Sequence, residues 1–279
     1  MIRLHDRALP PELQQYLDGL QADLDRESDY ARCVKLAADM WKNRTTNKQF
    51  ERIREILYEM CFGPRRCAYC EDSLSAQIEH VKPKSLYPEA TFSWENFLPT
   101  CGRCNSSKNA EFAVFVPHEP KPVQVARPQG HPVVPPRAGE PALIHPRRED
   151  PLRFLILDLK DTFHIHPRPG LEGREQTRAQ WTIEKLLKLN SDALAESRRD
   201  AFHGYRAHLR EYIQERDANP DAAELARCIK QIQRIKHRFV WEEMKTQREH
   251  YPSLRTLFDQ APEALGWPAL PWEIRKRAP

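Results

Sequence analysis

Four cysteines in two Cys-x-x-Cys pairs, Cys67/Cys70 and Cys101/Cys104, bracket the most chemically informative stretch of this 279-residue chain. Each Cys-x-x-Cys turn points two thiolates to one side of a tight knuckle, and two knuckles supply the four soft ligands of a tetrahedral structural zinc site. The competing reading is a disulfide framework. That belongs to oxidising compartments, and the N-terminal residues do not read as an export signal. With cysteine at all four positions, such a zinc holds structure and leaves no place for substrate or water.

Chemistry then has to come from what the zinc clamps together. Between the knuckles, Gln77-Ile78-Glu79-His80-Val81 alternates as a short strand does, and Pro83 ends it. Neighbours on a strand point to opposite faces, so Glu79 and His80 meet one ligand only if the chain bends, which Pro83 helps to supply. Phosphodiester hydrolysis needs a base to deprotonate water and a cation to neutralise charge on the phosphorane and the leaving oxygen. Histidine suits the first task. A carboxylate with an amide oxygen suits the second, because hard divalent cations prefer oxygen ligands.

The order Cys-x-x-Cys, Glu79-His80-Val-x-Pro83, Trp94-Glu-Asn96-Phe-Leu98, Cys101-x-x-Cys104-Asn105-x-x-Lys108 resembles the HNH endonucleases. The resemblance implies a β-hairpin and helix around one metal, with His80 as general base and Glu79, where many members have Asp, as a metal ligand. It implies that Asn96 braces the hairpin loop and orients the base, that Asn105 is the second metal ligand, and that Lys108 is a basic residue near the phosphate. Cys67–Glu71, Ile78–His80, Tyr87–Glu89 and Trp94–Asn96 look like the HNH proteins encoded with ATPases in Septu-type and retron-type anti-phage systems. So does the downstream segment with Leu143-Ile-His-Pro-Arg147, Glu149-Asp-Pro151, Leu189-Asn190, Leu194 and Arg198. An ATPase partner and an isolated chain of low activity are implied by that likeness alone. The chain departs from the pattern at Lys84-Ser-Leu-Tyr-Pro88, where many members carry small residues after the motif's Pro.

Each residue also has a plainer role. His80 suits a satisfied half-buried histidine, Asn105 the left-handed position after a knuckle, and Lys108 a solvated surface site, while Asn96 is structural on either view.

The elements that must position these residues read as follows. Residues 1–62 form a helical lead. One helix starts at Pro11 with Leu13, Tyr16, Leu17 and Leu20 on one face, a second follows the N-cap Ser28, and a third starts near Thr46 with Phe50, Ile53, Ile56, Leu57 and Met60 buried. Their expected role is to pack against a nuclease core at 63–115, with docking of a partner as the functional alternative. Residues 116–170 begin with eight prolines between Pro117 and Pro141, an extended strap or linker. A hairpin follows, from Phe154–Leu159 and Thr162–His166 about Lys160-Asp161. His164 and His166 share a strand face but lack a third ligand. Residues 171–279 read as a C-terminal helical domain with Ser191 as an N-cap. A helix from Asp221 buries Cys228, Ile232, Ile235 and Phe239 and spreads Arg227, Lys230, Arg234, Lys236 and Arg238 over the rest, an auxiliary phosphate contact or a solvated face. The tail from Arg275 reads as frayed.

Composition sets the bounds. The chain is 40% hydrophobic and 30% charged with a net charge of +4, and Gly63–Asn109 holds six Lys/Arg against five Asp/Glu, so charge alone does not indicate nucleic acid. Cys33, Cys61 and Cys228 read as free thiols of a reducing cytoplasm, and no apolar run spans a membrane.

The expected fold is α+β and mainly helical, a small ββα-metal (HNH) core with a four-cysteine zinc site flanked by helical segments. The expected function is a metal-dependent endonuclease, with DNA ahead of RNA as substrate, acting as an anti-phage effector. It would use Mg²⁺ or Mn²⁺ on Glu79 and Asn105 and water deprotonated by His80. The main alternative is a non-catalytic zinc-ribbon binding module for nucleic acid or a partner. A zinc deaminase, suggested by Pro99-Thr-Cys101-x-x-Cys104, fails because Glu79-His80 runs in the wrong order and a fourth cysteine closes the zinc.

Overall fold

The computed structural model describes residues 1–63, 65–109, 111–218 and 221–268, and the tail from Arg275 lies outside the described residues. The fold is mainly helical with small sheets. Helix α1 (Pro11–Asp25) takes Pro11 in its first turn and buries Leu13, Leu17, Leu20 and Leu24. Helix α2 (Tyr30–Arg44) is capped by Asp29 rather than Ser28. The Asp29 carboxylate accepts from the Arg32 N–H at 2.8 Å, and a charged acceptor there also suits the positive end of the helix. Helix α3 (Lys48–Glu59) is capped by Asn47, which accepts from the Phe50 N–H at 3.0 Å.

Strand β1 (Gln77–His80) pairs antiparallel with β2 (Phe97–Thr100), setting Glu79 opposite Leu98 and His80 opposite Phe97. Helix α4 (Gly102–Asn109) follows β2 and completes the ββα unit. The proline-rich stretch is more structured than a strap. Strand β3 (Ala113–Phe115) is the centre of an antiparallel sheet edged by β4 (Val123–Gln124) and β5 (Glu140–Pro141). Prolines are tolerated there because an edge strand has N–H groups to spare. Gly139 lets β5 approach, since a Cβ there would overlap the Phe115 carbonyl oxygen.

Strands β6 (Leu155–Leu157) and β7 (Ile165–Pro167) form the later hairpin, with a wider turn than the two residues expected. The Asp158 carboxylate organises that turn by accepting from the N–H groups of Lys160 and Thr162, both at 2.9 Å, and from the Thr162 hydroxyl at 2.7 Å. Helix α5 (Gly173–Gln180) runs into a π-helical segment, Trp181–Leu186. Helices α6 (Asp192–Asp217), α7 (Ala222–Arg234), α8 (Arg238–Gln247) and α9 (Pro252–Gln260) follow.

The helix expected to run from Asp221 through Phe239 is therefore two. It breaks because His237 adopts a left-handed backbone, φ 58°, and its side chain turns inward to Ser197. The basic residues of this region are less free than their sequence suggests. Arg227 pairs with Glu224, Lys236 with Asp72 at 2.9 Å and Arg238 with Glu242 at 3.0 Å.

One continuous apolar core joins the N-terminal helices, the ββα unit and the C-terminal helices, from Met1 to Ala264. Among the described residues no helix is long and apolar enough to cross a membrane.

Candidate metal and catalytic site

The two knuckles bring Cys67, Cys70, Cys101 and Cys104 together, all buried, with their four sulfur atoms within 4.8 Å of one another. A tetrahedral site with Zn–S bonds of ~2.3 Å requires S···S separations of about 3.8 Å, and Cys70 and Cys101 lie 3.9 Å apart. The set therefore fits a zinc ion in geometry and in ligand softness. Burial and mutual hydrogen bonding split the four thiols, drawing Cys101 and Cys70 down and pushing Cys67 and Cys104 up. The remaining cysteines lie outside this cluster. Burial pushes the Cys61 thiol up to about 12, and burial also raises Cys33 and Cys228.

The knuckles fix β1 and β2. The Ala68 N–H donates to the Pro99 carbonyl at 2.9 Å and the Ala76 N–H to Thr100 at 3.0 Å, so the first knuckle is stitched to the strand that leads into the second. On this hairpin Glu79 and His80 face opposite ways, as strand alternation dictates. His80, 6% exposed, points into an aromatic wall. Its ring lies 4.2 Å from Trp41 of α2 and 5.3 Å from Phe97, both edge-on. Its Nε2 lies 3.0 Å from the Thr91 carbonyl. A carbonyl only accepts, so Nε2 carries the proton and Nδ1 keeps the lone pair. Burial, reinforced by the Lys84 ammonium, drives the imidazole down to about 3, so His80 is neutral at physiological pH.

Asn96 clamps the loop between the strands. Its Oδ1 accepts from the Lys82 N–H at 2.7 Å, and its Nδ2 donates to the carbonyls of Lys82 at 3.1 Å and Ala90 at 2.8 Å. Its own carbonyl accepts from the Val81 N–H at 2.9 Å. This clamp holds the chain on both sides of the His80–Thr91 contact.

Two expected residues lie elsewhere than the resemblance implies. Asn105 does not meet Glu79, because its Nδ2 donates to the Gln77 Oε1 at 2.7 Å on the exposed side. Lys108 is not beside an open phosphate site but wholly buried, its ammonium 2.6 Å from the Glu79 carboxylate and also donating to the carbonyls of His80 and Val81. The register of α4 on β1 explains both. Asn105 and Lys108 sit three apart on a helix and Gln77 and Glu79 two apart on a strand, so each pair shares a face and the pairing runs Asn105–Gln77, Lys108–Glu79. Burial raises the Glu79 carboxyl and lowers the Lys108 ammonium, and their mutual attraction opposes both shifts. For a divalent cation, the donors present are the Glu79 carboxylate and two backbone carbonyls, a hard oxygen set of the right chemical kind.

Sequence reasoning missed several contributors. Trp41 closes over His80 from a helix read for packing or partner docking, with no part in the site. Arg147, buried, donates to the carbonyls of Trp94 at 2.5 Å and Phe97 at 2.9 Å, and pairs with Asp6 at 2.7 Å, bracing the segment that carries Asn96. Its place in the downstream resemblance was the available signal. Lys84, immediately after the motif's Pro83, lies half-buried with its ammonium 5.9 Å from the Trp41 ring. A second network ties the first knuckle to the C-terminal helices. Asp72 accepts from the Ser197 hydroxyl at 2.5 Å and Lys236 at 2.9 Å, Ser197 lies 2.8 Å from His237 Nε2, and Glu71 accepts from the Phe239 N–H at 2.9 Å. His164 and His166, 6.4 Å apart between ring centroids, join no metal-ligand cluster among the described residues.

Comparison with known proteins agrees with this geometry. Residues 67–111 match the family model described as HNH endonuclease. Septu protein PtuB of Bacillus thuringiensis is 39% identical over 61 residues, a match covering 20% of this chain and 23% of that protein. The chain thus matches about a quarter of that relative's length. Residues 67–111, from the first knuckle through α4, are thus similar to an HNH endonuclease domain, and their four cysteines form a cluster compatible with zinc.

Proposed function

We propose that the chain is a metal-dependent endonuclease that hydrolyses phosphodiester bonds in nucleic acid, DNA ahead of RNA, as the effector of an anti-phage system. The observation that carries this reading is the hairpin itself. A neutral histidine with a free Nδ1 lone pair and a carboxylate stand side by side in sequence, the Asn96 clamp fixes their loop, and four cysteines pin both ends. Zinc on Cys67, Cys70, Cys101 and Cys104 would be structural. A catalytic Mg²⁺ or Mn²⁺, with Glu79 as carboxylate ligand and Asn105 as the amide candidate, would stabilise charge on the phosphorane and the leaving 3′-oxygen.

The chain's own residues do the rest. His80 accepts the proton of the attacking water at Nδ1, while Thr91 holds Nε2 and with it the tautomer. Asn96 and Arg147 keep the loop in register. Asn105 reaches Glu79 only if α4 shifts or its side chain leaves Gln77. The seal of Trp41 over His80 has to open for water and substrate. Both requirements support a chain licensed by a partner, and the resemblance to the HNH proteins of Septu-type systems implies an ATPase in that role.

Incubation of zinc-loaded protein with supercoiled plasmid and with total RNA, each with Mg²⁺ or Mn²⁺, tests the reading. Cleavage by the zinc-loaded protein that depends on added Mg²⁺ or Mn²⁺ supports it, and the nucleic acid cut identifies the substrate. A second reading, a binding module that never cuts, draws on the burial of His80. Metal-independent retention of nucleic acid with no cleavage, even with the ATPase added, would favour it.

A further inference from the structure

Lys108 is fully buried, yet a lysine ammonium is among the groups least often enclosed unless paired. Its partners are all oxygens: the Glu79 carboxylate at 2.6 Å and the carbonyls of His80 and Val81, with the Phe112 ring 5.2 Å away. One carboxylate with two main-chain carbonyls is also a donor set that a hard divalent cation accepts. We propose that Lys108 is a built-in occupant of the cation site, a tethered monovalent charge that holds the oxygen cage together and must leave before a divalent ion enters. This rests on the nuclease reading, which supplies the divalent ion.

The physical case is one of exclusion. Glu79 is 1% exposed, so its carboxylate has to be compensated in every state the chain visits. Without metal, Lys108 supplies that compensation. With metal bound to the same carboxylate, the ammonium and the ion would be two cations a few ångströms apart in a poorly solvated site, so one displaces the other. Lys108 is three residues after Asn105 on α4. With Cys104 in the first turn of α4 held at the cysteine cluster, the movement that withdraws Lys108 falls on the part of α4 beyond it, and it would also release Asn105 from Gln77. The displaced ammonium would then lie at the rim, where a phosphate group can meet it. Glu79 thus has two alternative cations, one tethered and one diffusible, and anything that moves α4 decides between them.

Two measurements on the full-length, zinc-loaded chain test this. The first is Mn²⁺ affinity by calorimetry for wild type, Lys108→Met, Lys108→Gln and Glu79→Gln, with zinc content and circular dichroism as folding controls. Removing the competing ammonium should tighten Mn²⁺ binding by about tenfold or more, since no ion pair has to be broken first. Glu79→Gln should abolish it. The second needs no variant: acylation of Lys108 by acetic anhydride, read by mass spectrometry, with and without saturating Mn²⁺. The amine should be protected in the metal-free chain and become reactive with Mn²⁺. Mn²⁺ binding that is equal or weaker in folded Lys108 variants, or Lys108 labelling unmoved by saturating Mn²⁺, overturns the inference and leaves the nuclease reading intact. Absence of Mn²⁺ binding by wild type and all variants overturns the catalytic-metal reading itself.

Discussion

The HNH-like segment holds two sites a few residues apart, and they are built on opposite principles. The cysteine cluster offers four equivalent soft ligands from two tight turns. The cage around Glu79 offers hard oxygens from one carboxylate and two carbonyls, and the protein supplies its own cation in Lys108. On the proposed reading, one site would keep a metal and the other would exchange one. A structural ion has to be irreplaceable, whereas a catalytic ion has to arrive in a site that survives its absence.

The largest expected effect lies at the cysteines. Structural zinc contributes apparent binding energies of order 10 kcal/mol in small metal domains, so Cys101→Ser or strong chelation should unfold the ββα unit. Thermal denaturation with and without zinc would show this, and an unchanged transition would remove zinc from the structural role. At the second site, breaking a buried pair by removing one partner should cost about 3–5 kcal/mol, whereas replacing both partners by neutral groups should cost far less. Urea titrations of Lys108→Met, Glu79→Gln and the double variant would expose that non-additivity. Strict additivity would mean that the two groups do not compensate each other.

Smaller effects lie in the loop. Asn96→Ala loses three hydrogen bonds and leaves main-chain groups unsatisfied, which should lower stability by about 2–3 kcal/mol. Asp29→Ala removes the cap of α2 and should cost ~1 kcal/mol, a baseline for ordinary helix chemistry. The least effect is a pH dependence. Although its partial burial alone would raise it, hydrogen bonds led by those from Thr162, with Lys160 and Asp161 adding, hold the Asp158 carboxyl down to about 2. A folded value below the ordinary one contributes stability that is present above about pH 4. That contribution is lost as pH falls through about 2. Asp158→Asn should flatten this acid limb in melts recorded between those limits, leaving the cysteine transition untouched.

The sequence was legible where spacing alone carries geometry. The Cys-x-x-Cys pairs, the strand alternation at Gln77–Val81 and the apolar face of Leu13, Leu17 and Leu20 each follow from a fixed local period, and each is found in the fold. The expectations that moved depended on contacts distant in sequence. Whether Asn105 or Lys108 faces Glu79 is set by how α4 lies on β1, which no local pattern encodes. The helix expected through Phe239 breaks because His237 turns to Ser197 and Asp72, forty residues or more away. Trp41 and Arg147 shape the loop from other segments, so their roles emerge only from the packed structure. At the caps, Ser28 lost to Asp29 by a single residue, the usual limit of boundary assignment.

The most direct test of the nuclease reading is cleavage by His80→Ala measured beside wild type on the nucleic acid that wild type cuts, with Mn²⁺ and any required partner present. The expected result is a folded, zinc-loaded variant that no longer cuts. Cleavage at the wild-type rate by a variant lacking the imidazole would contradict the central claim that His80 is the base.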